Sequence, residues 1–257
     1  MTEHVLVTTS DGVTEIRMNR PDKKNALTQA MYGAMADALE AAAADPAVRC
    51  VVLCANGESF CAGNDISDFS GRPAAPSNTL SQTSRFLAAV STAPKPLVAA
   101  VQGNAVGVGT TMLLHCDLVV LGTSARLAMP FANLGLVPEA ASSLLFPRLV
   151  GWQRAAEAFL LGEPLDAVTA HTWGIANRVV DDADLHATAH GLANRLAAKS
   201  PSALRHTKAL MRGTPEEIAT RMRTEGAIFG AQLQSPEAKE AFAAFFEKRK
   251  PDFSKFS

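Results

Sequence analysis

The stretch LVAAVQGNAVGVGTTMLLH, Leu97 to His115, decides the fold class. Its first five residues are apolar without interruption and of strand length, the pattern of a strand covered on both faces. A glycine-rich turn, Gly103 to Gly109, follows, and Thr110 to His115 reads as helix. The same rhythm recurs on either side. Upstream, CVVLC (Cys50–Cys54) is a second buried strand, and Ser81 to Val90 has helical spacing before Pro94 and Pro96 break it. Downstream, Asp117 to Leu121 and Leu127 to Met129 read as strands. Strand and helix in alternation predict an α/β fold.

Farther out, His4 to Asn19 reads as a hairpin turning at Asp11-Gly12, and Thr28 to Ala44 as a helix with Met31, Met35 and Leu39 on one stripe. From Glu139 onward helices dominate, with candidates at Glu139–Leu149, Trp152–Leu161, Asp166–Thr172 and Leu185–Ala198, and one strand at Ile175–Val180. Ser200-Pro201, Thr214-Pro215 and Ser235-Pro236 each set a capping residue before a proline at the first helical position. The chain therefore divides into a core over residues 1–200 and a helical region over 201–257.

Composition excludes several classes. Of 257 residues 47% are hydrophobic and 19% charged, which is globular. Lys plus Arg is 24 and Asp plus Glu 25, so no basic excess drives binding to nucleic acid. No apolar run reaches the ~18 residues that span a bilayer. MTEHVLVTTSDG lacks a signal-peptide pattern, KFS is not a peroxisomal address, and four cysteines are too few for a disulfide scaffold. A cytoplasmic protein without membrane or nucleic-acid partners is expected.

Three apparent motifs read blandly. His186 and His190 lie four apart but lack the HExxH glutamate and a third ligand, so a solvated helix face is expected and no metal. Cys50, Cys54, Cys61 and Cys116 form no CxxC pair and read as small buried hydrophobes. Gly107-Val108-Gly109 opens like a dinucleotide fingerprint, but Met112 stands where the third glycine belongs. Neither GxxxxGK[ST] nor GxSxG occurs.

Three segments carry the chemistry: SFCAGNDI (Ser59–Ile66), GNAVGVG (Gly103–Gly109) and MPFANLGLVPEAASS (Met129–Ser143). The first two are small-residue turns that let a ligand reach backbone N–H groups. The third sets Pro138 and Glu139 just before a helix, at the edge of an apolar region. With RPDKKNAL (Arg20–Leu27) and FFEKRKPDF (Phe245–Phe253), these segments resemble the crotonase, or enoyl-CoA hydratase/isomerase, superfamily in order and spacing over essentially the whole chain. The resemblance implies a crotonase-like core, a spiral of ββα turns, with a C-terminal helical trimerisation region, and a homotrimer or dimer of trimers. It implies an acyl-CoA thioester as ligand and no cofactor, coenzyme A being part of the substrate.

By position, the family's two oxyanion-hole amides fall on Ala62 and Val108. Such donors stabilise the negative charge that develops on a thioester oxygen when a neighbouring proton leaves, at ~3–4 kcal/mol for a good donor. The family's hydratases use two glutamates, at positions that here hold Thr111 and Phe131. Neither side chain relays a proton as required, so a standard hydratase is disfavoured. The PFxxLGxxPExxSS segment instead resembles the Δ3,Δ2-enoyl-CoA isomerase branch, whose catalytic glutamate falls on Glu139. One carboxylate can take a proton from C2 and return it at C4, and an apolar wall such as Phe131 excludes water. Burial raises the pKa of Glu139 and a helix N-terminus lowers it; the sequence leaves the balance open.

Lys24, Ala26, Ala62, Gly63, Asn64, Asp65, Ile66, Gly107, Val108, Phe131 and Pro138 are the expected substrate-contacting positions. For Asp65 a turn or cap role competes with ligand contact. Phe242, Phe245 and Phe246 form a helical stripe expected in core or subunit packing. Lys248, Arg249 and Lys250 form either a solvated helix end or, by resemblance, a site near CoA phosphates. Two other readings stand beside the isomerase: a hydratase or other crotonase-type lyase or hydrolase, and a non-catalytic acyl-CoA-binding subunit.

Overall fold

The computed structural model describes residues 2–65, 81–212 and 214–256. Ile66 and most of the stretch before the second helix lie outside the described residues. In chain order the elements are β1 (Val5–Ser10), β2 (Val13–Met18), α1 (Gln29–Ala44), β3 (Cys50–Ala55), α2 (Gln82–Thr92), β4 (Leu97–Val101), β5 (Asn104–Val106), α3 (Val108–Thr111), β6 (Leu118–Gly122) and β7 (Arg126–Ala128). There follow α4 (Ser142–Val150), α5 (Trp152–Ala156), β8 (Leu165–Asp166), α6 (Ala167–Thr172), β9 (Arg178–Val180), α7 (Leu185–Ala197), α8 (Pro201–Arg212), α9 (Pro215–Gln232) and α10 (Pro236–Phe246).

The main sheet runs β1-β2-β3-β4-β6-β9. Only the β1–β2 hairpin is antiparallel; the other pairings are parallel. A smaller sheet, β5-β7-β8, stands beside it. Parallel bridges Leu27–Asn64 and Cys61–Ala105 extend its line through the earlier turns. Each pass of the chain thus lays one strand in the large sheet and one short segment in the small one, then enters a helix. That repeat is the α/β spiral expected from the sequence.

The unbroken apolar runs follow from burial on both faces. In β3, Val51, Leu53 and Ala55 join the larger core with α1 and α2, while Cys50, Val52 and Cys54 face α7. In β4, Leu97, Ala99 and Val101 face the larger core, and Val98 and Ala100 the α7 side. Thr28 caps α1 by accepting the Met31 N–H at 3.3 Å.

Three expectations need correction. The glycine-rich turn contains a strand, β5, because Asn104 and Val106 bond to Cys61 at 2.9 and 2.8 Å. The helix expected from Glu139 begins at Ser142, since Ala140 and Ala141 are left-handed (φ 60° and 56°). His186 and His190 are half-buried residues of α7 and not a fully solvated face; the His190 Nε2 meets the Glu15 carboxylate at 2.7 Å. For Asp65, the carboxylate pairs with Arg20 at 2.6 Å.

The three C-terminal helices start at the expected prolines. Lys208 of α8 ties them to the core, donating to the Lys95 carbonyl at 2.6 Å and to the Asp117 carboxylate. Arg212 donates to the carbonyls of Ser91 (2.7 Å) and His115 (2.6 Å). Among the described residues no helix is long and apolar enough to cross a membrane.

Candidate active site

Three segments distant in sequence meet beside the small sheet. Cys61 N donates to Asn104 O at 2.9 Å and Val106 N to Cys61 O at 2.8 Å, which sets the CAGN turn against the GNAVGVG turn. Two glycines allow the approach. A Cβ on Gly109 would sit 2.8 Å from the Cys61 carbonyl oxygen, and one on Gly63 (φ 94°) would sit 3.2 Å from that of Val106.

The direction of the amides in these turns decides which can receive a ligand. The Ala62 N–H, an expected oxyanion donor, is already committed to the Lys24 carbonyl at 3.0 Å. That expectation is corrected. Leu27 N donates to Gly63 O and Asp65 N to Leu27 O, so the Asn64 N–H points away from this bridge and has no acceptor among the described residues. Val108 opens α3, and its N–H likewise has no acceptor there. Gly107 before it has φ 54°, with open space where a Cβ would lie. Among the described residues, the amides of these two turns without an acceptor include those of Asn64, Val108 and Gly109.

Glu139 lies within electrostatic reach of the Cys61 thiol, whose own burial pushes its pKa up to about 12. Glu139 is 8% exposed, and its Oε1 is buried without a hydrogen-bond partner. Burial first, and then the negative charge of Glu225, push its pKa up to about 7. The helix N-terminus that would have opposed this shift is taken by another acid. Glu225 of α9 accepts the N–H groups of Ala141 (2.6 Å) and Ser143 (2.9 Å) and the Ser143 hydroxyl. On the other side His115 Nε2 donates to the Ala140 carbonyl at 2.8 Å. Burial holds the His115 pKa down, to about 4, so the ring is neutral.

Thr111 and Phe131, the residues at the expected hydratase positions, are both buried. Thr111 is fully buried and its Oγ1 has no partner; Ser142 Oγ is in the same state. Unpartnered buried oxygens are rare in folded proteins and mark places where a ligand or water completes the bonding. Phe131 is 5% exposed, its ring centroid 6.5 Å from that of Phe159, a dry apolar neighbour. Pro138 is half-buried ahead of Glu139.

The remaining positions divide. Lys24 is exposed in a left-handed turn (φ 50°), and Ala26 is half-buried with its carbonyl accepting Arg20 Nη1 at 3.0 Å. Asn64 accepts the Tyr32 hydroxyl. Arg249 is engaged with Glu240 and Glu247 at the end of α10. Phe242 packs on the core, but Phe245 and Phe246 are exposed. A separate cavity of about 430 Å³, lined in part by Gln102, Asp182 and His186, includes none of the expected site residues.

Sequence reading missed Asn25, Glu225 and His115. The Asn25 side chain is buried and spans the first two turns, donating to Asn56 O (2.9 Å) and Ser59 O (2.7 Å) and accepting Arg20 N (2.7 Å). The KNAL stretch was the available signal. No local signal marks Glu225, whose partners lie 82 and 84 residues away.

The enoyl-CoA hydratase/isomerase sequence model matches residues 8–255. The chain is 34% identical to the 1,2-epoxyphenylacetyl-CoA isomerase of Escherichia coli over 99% of both chains. It is 33% identical to the 2,3-dehydroadipyl-CoA hydratase of the same organism, over 97% of this chain and 98% of that one. Among solved structures, an enoyl-CoA hydratase/isomerase from Pseudoalteromonas atlantica superposes with a TM-score of 0.93 at 44% identity, covering 98% of this chain and all of that one. OdaA from Pseudomonas aeruginosa superposes at 0.90 with 47% identity, covering 95% and 99%. With its spiral of paired strands, two juxtaposed turns and buried carboxylate, the chain belongs to the enoyl-CoA hydratase/isomerase, or crotonase, family, whose enzymes act on acyl-CoA substrates.

Proposed function

We propose that the protein is an acyl-CoA isomerase that shifts the double bond of a 3-enoyl-CoA to the 2-trans position, with Glu139 as the single proton shuttle. The observation that carries this reading is the state of Glu139: buried, one oxygen unpartnered, and poised near neutrality. A group that must first accept and then donate a proton works best with a pKa near the working pH. As a carboxylate, Glu139 removes a C2 proton. The electron pair moves onto the thioester oxygen, where the Asn64 and Val108 N–H groups donate to it. The enolate then collapses, the double bond forms between C2 and C3, and C4 takes the proton back from Glu139. No water is consumed.

The position of the other family carboxylates supports the same choice. Thr111 and Phe131 replace them, and neither can activate a water against a double bond. The second reading, a hydratase, draws on the hydratase names of several relatives and on the unpartnered Thr111 hydroxyl. Purified enzyme given a 3-enoyl-CoA and, separately, a 2-enoyl-CoA separates the two. Conversion of the first to its 2-trans isomer without 3-hydroxyacyl-CoA supports isomerisation; hydration of the second at comparable kcat/KM supports the hydratase.

The assembly we infer is a homotrimer, or a dimer of trimers, built through residues 201–257. Leu210, Met211, Phe245 and Phe246 expose large apolar side chains on this region, the kind of surface that a subunit contact covers. A cytoplasmic location fits the same reading.

A further inference from the structure

We propose that Glu225 of α9 is a positioning residue for Glu139: it clamps the left-handed turn that carries Glu139 and keeps a negative charge beside it. The inference rests on the acid–base role of Glu139 given above. Its own basis is geometric. A backbone turn with two consecutive alanines at positive φ is strained, and it persists only where its surroundings over-determine it. Here the surroundings are specific. Glu225 takes the Ala141 and Ser143 N–H groups and the Ser143 hydroxyl; His115 takes the Ala140 carbonyl. Every one of these bonds lands within four residues of Glu139, and none touches its side chain.

The clamp leaves the Glu139 carboxyl unpaired by supplying the turn's hydrogen bonds from elsewhere. In an ordinary helix start, an acid at this place would fold back onto the free amides and be held ionised. Glu225 occupies those amides instead. Burial raises the pKa of Glu225 as well, but its three donors act in the opposite sense and mark it as the anion of the pair. Its charge then favours the protonated form of Glu139, in the same direction as burial.

Among the other charged and titratable groups around the turn, Arg221 acts on Glu225 and favours its ionised form. On α9, Arg221 reaches the Ser143 hydroxyl at 3.3 Å and does not pair with Glu139. His115 is neutral. Arg212 and Lys208 on α8 are spent on carbonyls and on Asp117. Arg148 on α4 pairs with Glu217 at 2.6 Å, and the Cys61 thiol is held uncharged by burial.

The test is the pH dependence of kcat/KM for 3-enoyl-CoA isomerisation in wild type, Glu225→Gln, Glu225→Asp and Glu139→Gln. Glu225→Gln removes the charge and keeps the size; the midpoint of its profile moves to lower pH by roughly one unit. Glu225→Asp keeps the charge but withdraws the clamp by one methylene. Its midpoint stays with the wild type while kcat falls roughly tenfold or more, with KM within about twofold. A Glu225→Gln midpoint coincident with wild type overturns the charge role. A Glu225→Asp enzyme with unaltered kcat overturns the clamp, and this arm decides if the glutamine variant does not fold. Glu139→Gln separates the two readings. If it retains turnover, the proposed function fails; if it is inactive while Glu225→Gln is unshifted, only the present inference fails.

Discussion

The Ala62 N–H donates to the Lys24 carbonyl at 3.0 Å, while among the described residues the Asn64 N–H of the same turn has no acceptor. An oxyanion hole is a matter of direction. Once one amide of a tight turn is bound to its neighbour strand, the next free one is two residues on. In the proposed oxyanion hole Val108 supplies the partner amide from the start of α3. Its position allows a clean test, because proline is well tolerated at the first residue of a helix, where the N–H has no helical acceptor. Val108→Pro should fold with a stability within about 2 kcal/mol of wild type and lose roughly 10²- to 10³-fold in kcat. Steady-state kinetics with a urea melt checks both; full activity in a folded variant would show that this amide does not face the substrate.

Glu139 and His115 make opposite contributions to stability as pH changes. Glu139 has a folded pKa near 7 against an ordinary 4.5, so the folded protein keeps a proton that the unfolded chain gives up. Its contribution is complete below about pH 4.5 and is lost as pH rises through 7, about 3 kcal/mol in all. His115 is held near 4 against 6.5. Its contribution is present above pH 6.5 and is lost as pH falls through 4. Between 4.5 and 6.5 the two slopes cancel. Glu139→Gln removes one of them, so its stability relative to wild type should be about 3 kcal/mol greater at pH 8 than at pH 4.5. Urea denaturation at the two values reads this; an equal difference at both would place Glu139 in water.

Lys208 and Asp117 hold α8 to the core, with Arg212 3.9 Å from the second carboxylate oxygen. Lys208 is 7% exposed. Removing it leaves a carboxylate short of a partner, which typically costs more than the pair itself contributes. Lys208→Met should destabilise by about 3 kcal/mol, and the added change Asp117→Asn should recover part of that. A double-mutant cycle measured by thermal unfolding gives the coupling, and strictly additive effects would contradict the pairing.

Gly109 lies where a Cβ would come 2.8 Å from the Cys61 carbonyl oxygen and 2.9 Å from its Cβ. Both atoms belong to the buried Cys61, one of them to its backbone, which leaves little room to yield. Gly109→Ala should therefore separate the two turns and lower kcat/KM by roughly tenfold or more, with a stability loss of about 1–3 kcal/mol. Activity equal to wild type would mean that the turns need not touch.

Much of the fold is legible in the sequence because its signals are local. CVVLC and LVAAV are strands by their unbroken apolar character, and Thr28, Pro201, Pro215 and Pro236 mark where helices begin. What the sequence hides is long-range. β5 reads as loop because glycines flank three residues whose pairing partners sit in other turns. The start of α4 reads three residues early because an acid before a helix resembles an ordinary first-turn residue, whereas Glu225 fills the cap from 84 residues away. The site is legible to the same degree. Glu139 and Val108 can be picked from their motifs, while preferring the amide of Asn64 to that of Ala62 needs the hydrogen bond to Lys24, which no spacing reveals.

The central claim is that one carboxylate moves the proton. The most direct measurement is the turnover of a 3-enoyl-CoA by Glu139→Gln, an uncharged group of the same shape. A folded, thioester-binding variant with kcat reduced by roughly 10²-fold or more is expected. Turnover equal to wild type would contradict it.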